Sequence, residues 1–234
     1  VPNILDIRDL FVYYADGTEA LHGVSLSIAP CERVGLIGAN GAGKTSLLLA
    51  TMAAVHFHGS IDVDGVPLSK RTTADARSRC GMTFQSADDQ LFMPTLLDDV
   101  AFGPLNQGLA PEMAEKCSRE AIAAVGLAGL EHRAAHHFSG GQKRAASLAT
   151  IFAMQVKLLL LDEPAANLDF RSRRLLLDIL SARGEAMLLA THDLDMVEKL
   201  CSRVIVLDDG RVVADAPAAD VLKNSELLSM HGLA

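Results

Sequence analysis

Apolar positions in this chain follow two rhythms. Over residues 21–28 they alternate with polar or small residues, the two-residue repeat of a strand with one buried face. Residues 4–14 are rich in β-formers, and Asp16-Gly17 between the two stretches is a turn signal, which predicts antiparallel strands. Ile61-Asp62-Val63 followed by Asp64-Gly65 predicts another hairpin. Shorter, mostly apolar strands are expected at 33–37, 81–84, 157–162, 186–191 and 204–208. Helical patterns occupy 44–52, 110–125, 140–153 and 170–183, the second stopped by Gly126 and the third led by Ser139 as N-cap. Asp209-Gly210 turns the chain into a terminal strand near 211–214, and short helices are expected after Pro217.

Strands that alternate with helices argue for a mostly parallel sheet with helices on its faces. Residues ~86–156 read as a helical insertion. We therefore expect one α/β domain over residues 1–234, with a core at 1–85 and 157–234 and a helical subdomain at 86–156. A chain of 234 residues is long enough to bury such a core without staples. Aliphatic runs such as 158–161 fall far short of the ~20 residues of a membrane-spanning helix. No basic-then-apolar leader opens the sequence, which predicts that the chain is not exported. The formal net charge of -8 disfavours a nucleic-acid surface. The four cysteines, Cys31, Cys80, Cys117 and Cys201, are far apart and read as structural thiols of a reducing compartment.

Gly38-Ala39-Asn40-Gly41-Ala42-Gly43-Lys44-Thr45 matches the phosphate-binding Walker A loop, with a strand before it and a helix after it. Glycines let backbone N–H groups converge on phosphate oxygens, and the helix points its positive end at the same anion. Lys44 is expected on the β- and γ-phosphates, Thr45 on Mg²⁺, and Ser46 in the phosphate cradle. The apolar run 157–161 ends in Asp162-Glu163. Asp162 is suited to the metal and Glu163 to polarising the attacking water. An acid pair of this kind is weak by itself and becomes specific behind a Walker A loop. His56/His58 and His136/His137 lack a third ligand and read as ordinary loop residues.

A second glycine-rich run, Ser139-Gly140-Gly141-Gln142, opens the 140–153 helix. Its hydroxyl and amides make a second anion cradle. With the two motifs above, it resembles the signature of ATP-binding cassette (ABC) proteins. The resemblance covers nearly the whole chain and implies a P-loop NTPase (RecA-like) α/β core, an N-terminal antiparallel β subdomain and an inserted α-helical signature subdomain. It implies ATP and Mg²⁺ as cofactors and a second ATPase subunit packed head-to-tail, homo- or heteromeric, whose ATP the signature caps. It also implies roles for Gln85 as the Q-loop residue that touches Mg²⁺ or its water, for His192 as the switch histidine at the γ-phosphate, and for Tyr14 as the adenine-stacking aromatic, with Tyr13 the competitor. Asn167-Leu168-Asp169 resembles the loop that crosses between subunits. The chain departs from the family in having Phe138 before the signature serine and Ala145-Ala146 where a basic residue is frequent.

The stretches Gln85-Ser86-Ala87-Asp88-Asp89-Gln90-Leu91-Phe92 and Asp99-Val100-Ala101-Phe102-Gly103-Pro104-Leu105-Asn106 resemble those of ATPases from energy-coupling-factor importers. That branch implies a transmembrane coupling subunit, a membrane subunit that binds the solute, and a peripheral location on the inner face of the cell membrane. Cobalt or nickel is the first expectation for the solute and a vitamin the second. Asp88, Asp89, Asp98 and Asp99 either meet basic residues of a coupling helix or form a solvated acidic face. The tail is short for this branch, which implies weaker dimerisation without ATP. Two rivals remain at this point: a soluble ABC protein acting on DNA or ribosomes, and an unrelated P-loop kinase that would not need residues 139–142.

Overall fold

The computed structural model describes residues 2–233. In chain order the strands are β1 (Leu5–Tyr13), β2 (Glu19–Ile28), β3 (Arg33–Ile37), β4 (Phe57–Val63), β5 (Val66–Pro67), β6 (Cys80–Thr83), β7 (Leu158–Asp162), β8 (Ala186–Ala190), β9 (Arg203–Asp208) and β10 (Arg211–Pro217). The helices are α1 (Lys44–Thr51), α2 (Thr73–Ser78), α3 (Leu96–Asn106), α4 (Pro111–Ala124), α5 (Gly140–Ala153), α6 (Phe170–Ser181), α7 (Leu194–Leu200), α8 (Ala218–Lys223) and α9 (Ser225–Met230). No helix among the described residues is long and apolar enough to cross a membrane. Two compact units result. One holds everything described up to Met82, Lys157–Glu163 and everything described from Gly184 on; the other holds Thr83–Val156 and Pro164–Arg183.

In the first unit, an antiparallel sheet has the order β2-β1-β4-β5, and a six-stranded sheet has the order β10-β9-β3-β8-β7-β6. The central strands β9, β3, β8 and β7 pair in parallel, and β10 closes one edge antiparallel. Their residues are buried almost without exception, so these strands read as continuous apolar runs and not as alternation. β1 and β2 alternate because they have one buried face. One apolar cluster joins both sheets to α1, through Leu5, Leu21, Leu36, Leu47, Leu160 and Leu188 among others. Arg77 of α2 donates to the carbonyls of Met52 and Ala53 and so satisfies the C-terminal end of α1. Cys80 and Cys201 are buried, and burial pushes both thiols up to about 12, which keeps them protonated and inert.

The second unit is helical. Every residue of α5 from Arg144 to Ala153 is buried, which makes α5 the central helix of this unit. Phe138 and Ala145-Ala146, the departures noted above, are all buried, so this stretch of α5 is packed and has no room for a long basic side chain. The sequence pattern does not predict α3, because Gly103 and Pro104 weaken helix propensity. The helix forms nonetheless. Thr95 caps its start by accepting from Asp98 N, and Pro104 lies in its last turn. Gly103 faces Met154, where an added Cβ would lie 2.6 Å from the side chain.

Asp99 corrects one expectation. It is buried and cannot serve a charged surface. Its Oδ1 accepts from Phe92 N and Met93 N, both at 2.9 Å, while Oδ2 has no partner. Burial raises its carboxyl above the ordinary range, partly offset by those two backbone donors. A raised carboxyl favours the folded state fully below ~4, and that contribution is lost as pH rises through the folded value. Asp99→Asn, which keeps an acceptor for the loop without the charge, should therefore match wild type in melting temperature near pH 4 and equal or exceed it at pH 7. Asp99→Ala should melt several degrees lower at both, because two N–H groups lose their acceptor. Thermal denaturation of the three proteins across pH checks this.

Candidate active site

The first unit gathers one set of the expected residues. β3 runs into the loop Gly38–Gly43, and Gly43 caps α1 with φ of 102°. A Cβ there would stand 2.6 Å from the Ala20 carbonyl, so the loop closes on the sheet only with glycine. α1 has no side-chain cap and no acid in its first turn, which leaves its leading N–H groups open to an anion. Asn40 and Gly41 are exposed at the loop tip, while Ala42 is buried and its carbonyl accepts from Gly210 N. Lys44 folds over the loop and donates to the carbonyls of Gly38 at 2.6 Å and Ala39 at 3.0 Å. Burial lowers the Lys44 ammonium, and the nearby Glu163 and Asp162 carboxylates oppose that shift. The P-loop lysine and both acids thus share one electrostatic site.

Parallel pairing explains how distant segments meet there. Leu36 of β3 pairs with Ala190 of β8, and Ala190 pairs with Asp162 of β7. Thr45 Oγ1 donates to Asp162 Oδ2 at 2.8 Å. This hydroxyl and carboxylate are the hard oxygen donors that Mg²⁺ prefers, so the pair fits that ion. Glu163, one residue on, has a left-handed φ of 44°, and its N–H donates to Ala190 O at 2.8 Å. Its carboxylate is held from three sides: Thr191 Oγ1 donates to Oε2 at 2.9 Å, His192 N to Oε1 at 3.1 Å, and His192 Nδ1 lies 2.9 Å from Oε1. A carboxylate only accepts, so Nδ1 carries the hydrogen in that contact. Glu163 is buried while the His192 side chain is 67% exposed.

Tyr14 stands on a tight turn: Tyr14 N donates to Thr18 O, Gly17 N to Tyr14 O, and Thr18 N to Asp16 Oδ1. The Tyr14 hydroxyl lies 2.9 Å from Ser46 Oγ, so its ring stands beside the phosphate loop. Tyr13 instead stacks on Phe11 and meets His58 edge-on. Its hydroxyl is bonded to Glu19, which raises its pKa. The other histidine pairs gain no partner for metal binding. His56 lies 5.5 Å from His58 and His136 lies 4.0 Å from His137 between ring centroids, and no group of three or more His, Cys, Asp or Glu suited to a metal exists among the described residues.

The second unit holds the remaining expected residues. Ser139 caps α5 in a reciprocal box: Gln142 N donates to Ser139 Oγ at 3.3 Å, and Ser139 N donates to Gln142 Oε1 at 3.0 Å. Ser139 and Gly140 are exposed. Gly141 faces α6, where an added Cβ would lie 2.2 Å from Ser172 Oγ, so glycine permits the approach of the two helices. A cleft of about 620 Å³ adjoins the signature and is lined by Ser139, Gln142, Asp169, Arg171 and Arg174 among others. Gln85 is exposed, and its backbone is anchored from α5. The buried Arg144 donates to the carbonyls of Phe84 at 2.7 Å and Gln85 at 2.6 Å. Gln90 continues the seam, donating to Ser147 O and to Thr150 Oγ1 and accepting from Ser147 Oγ. Lys143 pairs with Asp88.

Sequence reasoning passed over Thr191, Arg144 and Gln90. Thr191 had a signal, a hydroxyl closing an otherwise apolar strand. Arg144 and Gln90 had none, since their partners lie 57 to 60 residues away.

Comparisons with known proteins give the family and the fold. The model of the ABC transporter family matches residues 21–166. A Streptomyces coelicolor protein described as an ABC transporter ATP-binding protein is 44% identical over 99% of this chain and 90% of its own length. The energy-coupling factor transporter ATP-binding protein EcfA of Methanocaldococcus jannaschii is 38% identical over 98% of this chain and 85% of its own. Among solved structures, cbiO1 of Clostridium perfringens, described as part of the ABC transporter complex cbiONQ, superimposes with a TM-score of 0.84 at 31% identity, covering 100% of this chain and 96% of that one. The ADP- and phosphate-bound dimeric cassette MJ0796 shares the fold, with a TM-score of 0.81 at 22% identity over 92% and 98% of the two chains. The chain belongs to the ABC transporter family and is one of its ATPases, similar to those of energy-coupling-factor transporters.

Proposed function

We propose that this chain is the motor subunit of a membrane importer and hydrolyses ATP in a head-to-tail dimer. The observation that carries the reading is that each compact unit holds an anion cradle of its own. The P-loop, Lys44, Asp162, Glu163 and His192 cluster in one unit, while the exposed Ser139-Gly140 cradle belongs to the other. An exposed cradle of this kind suits the γ-phosphate of ATP bound by a second ATPase subunit, either another copy or a related chain. Phe170 and Leu175, 81% and 48% exposed on α6, are large apolar residues for such a partner to cover.

Within one site the roles follow from chemistry. The Tyr14 ring stacks on adenine. The N–H groups of Gly38–Ser46 and the Lys44 ammonium bind the phosphates. Glu163 takes a proton from the attacking water, and His192 orients toward the γ-phosphate. Thr45 and Asp162 are the residues that would hold Mg²⁺, which when bound neutralises phosphate charge. Gln85 begins the segment that answers to the membrane partner. Phe92 and Phe102 meet edge-to-face at 5.2 Å, and both are exposed, as is Leu105 one helical turn on. We assign this apolar face to a coupling helix of a transmembrane subunit, with exposed Asp89 beside it in sequence. The chain would then sit peripherally on the inner face of the membrane, next to that subunit and a solute-binding one. Cobalt or nickel is the preferred solute, on resemblance to the cobalt-type branch, and a vitamin the second. Uptake assays with the complex purified through this chain decide between them.

Glu163→Gln should slow ATP turnover by at least about a hundredfold and accumulate an ATP-bound dimer, read by size-exclusion chromatography. Unchanged turnover removes Glu163 from the base role. Lys44→Ala should weaken nucleotide binding and abolish turnover, measured by calorimetry and phosphate release. Mixing Lys44→Ala with Ser139→Arg chains should recover turnover that neither has alone, because one composite site keeps an intact loop and an intact signature. Mixed dimers without any recovery contradict head-to-tail sharing.

A further inference from the structure

We infer that Thr191 is the positioning residue of the hydrolytic carboxylate, and that it divides Glu163 into an anchored oxygen, Oε2, and a working oxygen, Oε1. The inference rests on the reading of Glu163 as the base. Thr191 is fully buried at the end of β8, where a hydroxyl must find partners. It has two. Asp193 N donates to Thr191 Oγ1 at 3.1 Å, and a backbone N–H can only donate. The hydroxyl hydrogen is therefore left for Glu163 Oε2, 2.9 Å away, which can only accept. The direction of this bond is set by its surroundings, so the hydroxyl needs no reorientation to hold the carboxylate.

Thr191 is also tied to the phosphate-loop strand. Its N–H donates to Leu36 O at 3.1 Å, two residues before Gly38. One residue thus links the strand that launches the phosphate loop to the orientation of the base. The other oxygen is held differently. Oε1 faces His192 N and Nδ1, and that ring is mostly exposed. Rotation of an exposed imidazole costs little, whereas removing the buried Thr191 bond strands a polar pair. When the His192 ring turns outward toward a phosphate, Oε1 gains a free lone pair and Oε2 stays fixed. The proton of the attacking water then passes to Oε1 as the water oxygen bonds the γ-phosphorus. The bond from that phosphorus to the bridging oxygen breaks, leaving ADP and inorganic phosphate.

Thr191→Val keeps the shape and removes the hydroxyl; Thr191→Ser keeps the hydroxyl. In the complex purified through this chain, Thr191→Val should lower kcat for ATP by about tenfold or more with KM changed by less than about twofold, the pattern of a lost transition-state contact. Thr191→Ser should keep most of the wild-type kcat. In a Glu163→Gln background, Thr191→Val should add no further loss, since both changes act on one group. The inference is overturned if Thr191→Val keeps wild-type kcat, if Thr191→Ser falls as far as Thr191→Val, or if the losses in the double variant multiply. If Thr191→Val fails to fold by thermal melting, Thr191→Cys, a similar volume with a poor donor, takes its place against Thr191→Ser under the same criteria. A Glu163→Gln protein with normal turnover would sink the base reading itself, which separates the two failures.

Discussion

Parallel register between β3, β8 and β7 is the constraint on which the catalytic half of this molecule depends. Leu36, Ala190 and Asp162 stand side by side across three strands, so the residues that follow each of them emerge at one edge. Those residues are the phosphate loop, the Thr191-His192 pair and Glu163. Ligands of open parallel sheets bind at this carboxyl edge because the strand ends splay and the helices that follow present their N–H groups there. A slip of one residue in β7 would turn Asp162 to the opposite face and withdraw it from Thr45. Nearly every position of these strands is buried, Arg33 at the start of β3 being half-buried, so a slip would also disturb close packing on both faces of the sheet.

Gathering charges at a buried edge is expensive, and the local chemistry answers that cost. Lys44 is drawn down by burial and supported by Glu163 and Asp162. Glu163 is surrounded by donors, from Thr191 and His192, that replace the water it has lost. Its left-handed backbone adds strain of a kind that persists where surrounding bonds over-determine it, and the Glu163 N to Ala190 O bond is one of them. The exposed His192 ring is the loosest of these contacts, which suits the switch role proposed for it.

The helical unit solves a different problem. The segment from Phe84 to Phe92 carries exposed aromatics and yet is tied to the signature helix. Arg144, Ser147 and Thr150 lie on successive turns of α5 and bond to Phe84, Gln85 and Gln90, so the segment is fixed to that helix by partly buried hydrogen bonds. Asp99 adds a second brace by holding the Phe92–Met93 backbone from α3. The acidic surface suggested by four nearby aspartates is correspondingly smaller, because Asp99 is inside and Asp88 pairs with Lys143.

By itself the sequence determined the strand-loop-helix of the phosphate site, the apolar strand ending in Asp162-Glu163 and the Ser139 helix start. Each is a local pattern whose chemistry depends on neighbours a few residues away. It also carried the family, because three such motifs in order leave little room for another fold. It did not reveal α3, whose Gly103 and Pro104 argue against a helix until packing outweighs propensity. Nor could it show that Asp99 is buried or that Arg144 grips the Q-loop backbone. Only the tertiary structure gave Thr191 its place between Leu36, Glu163 and Asp193. The hydroxyl's meaning lies in partners from three segments, and no spacing along the chain encodes the direction of a buried hydrogen bond.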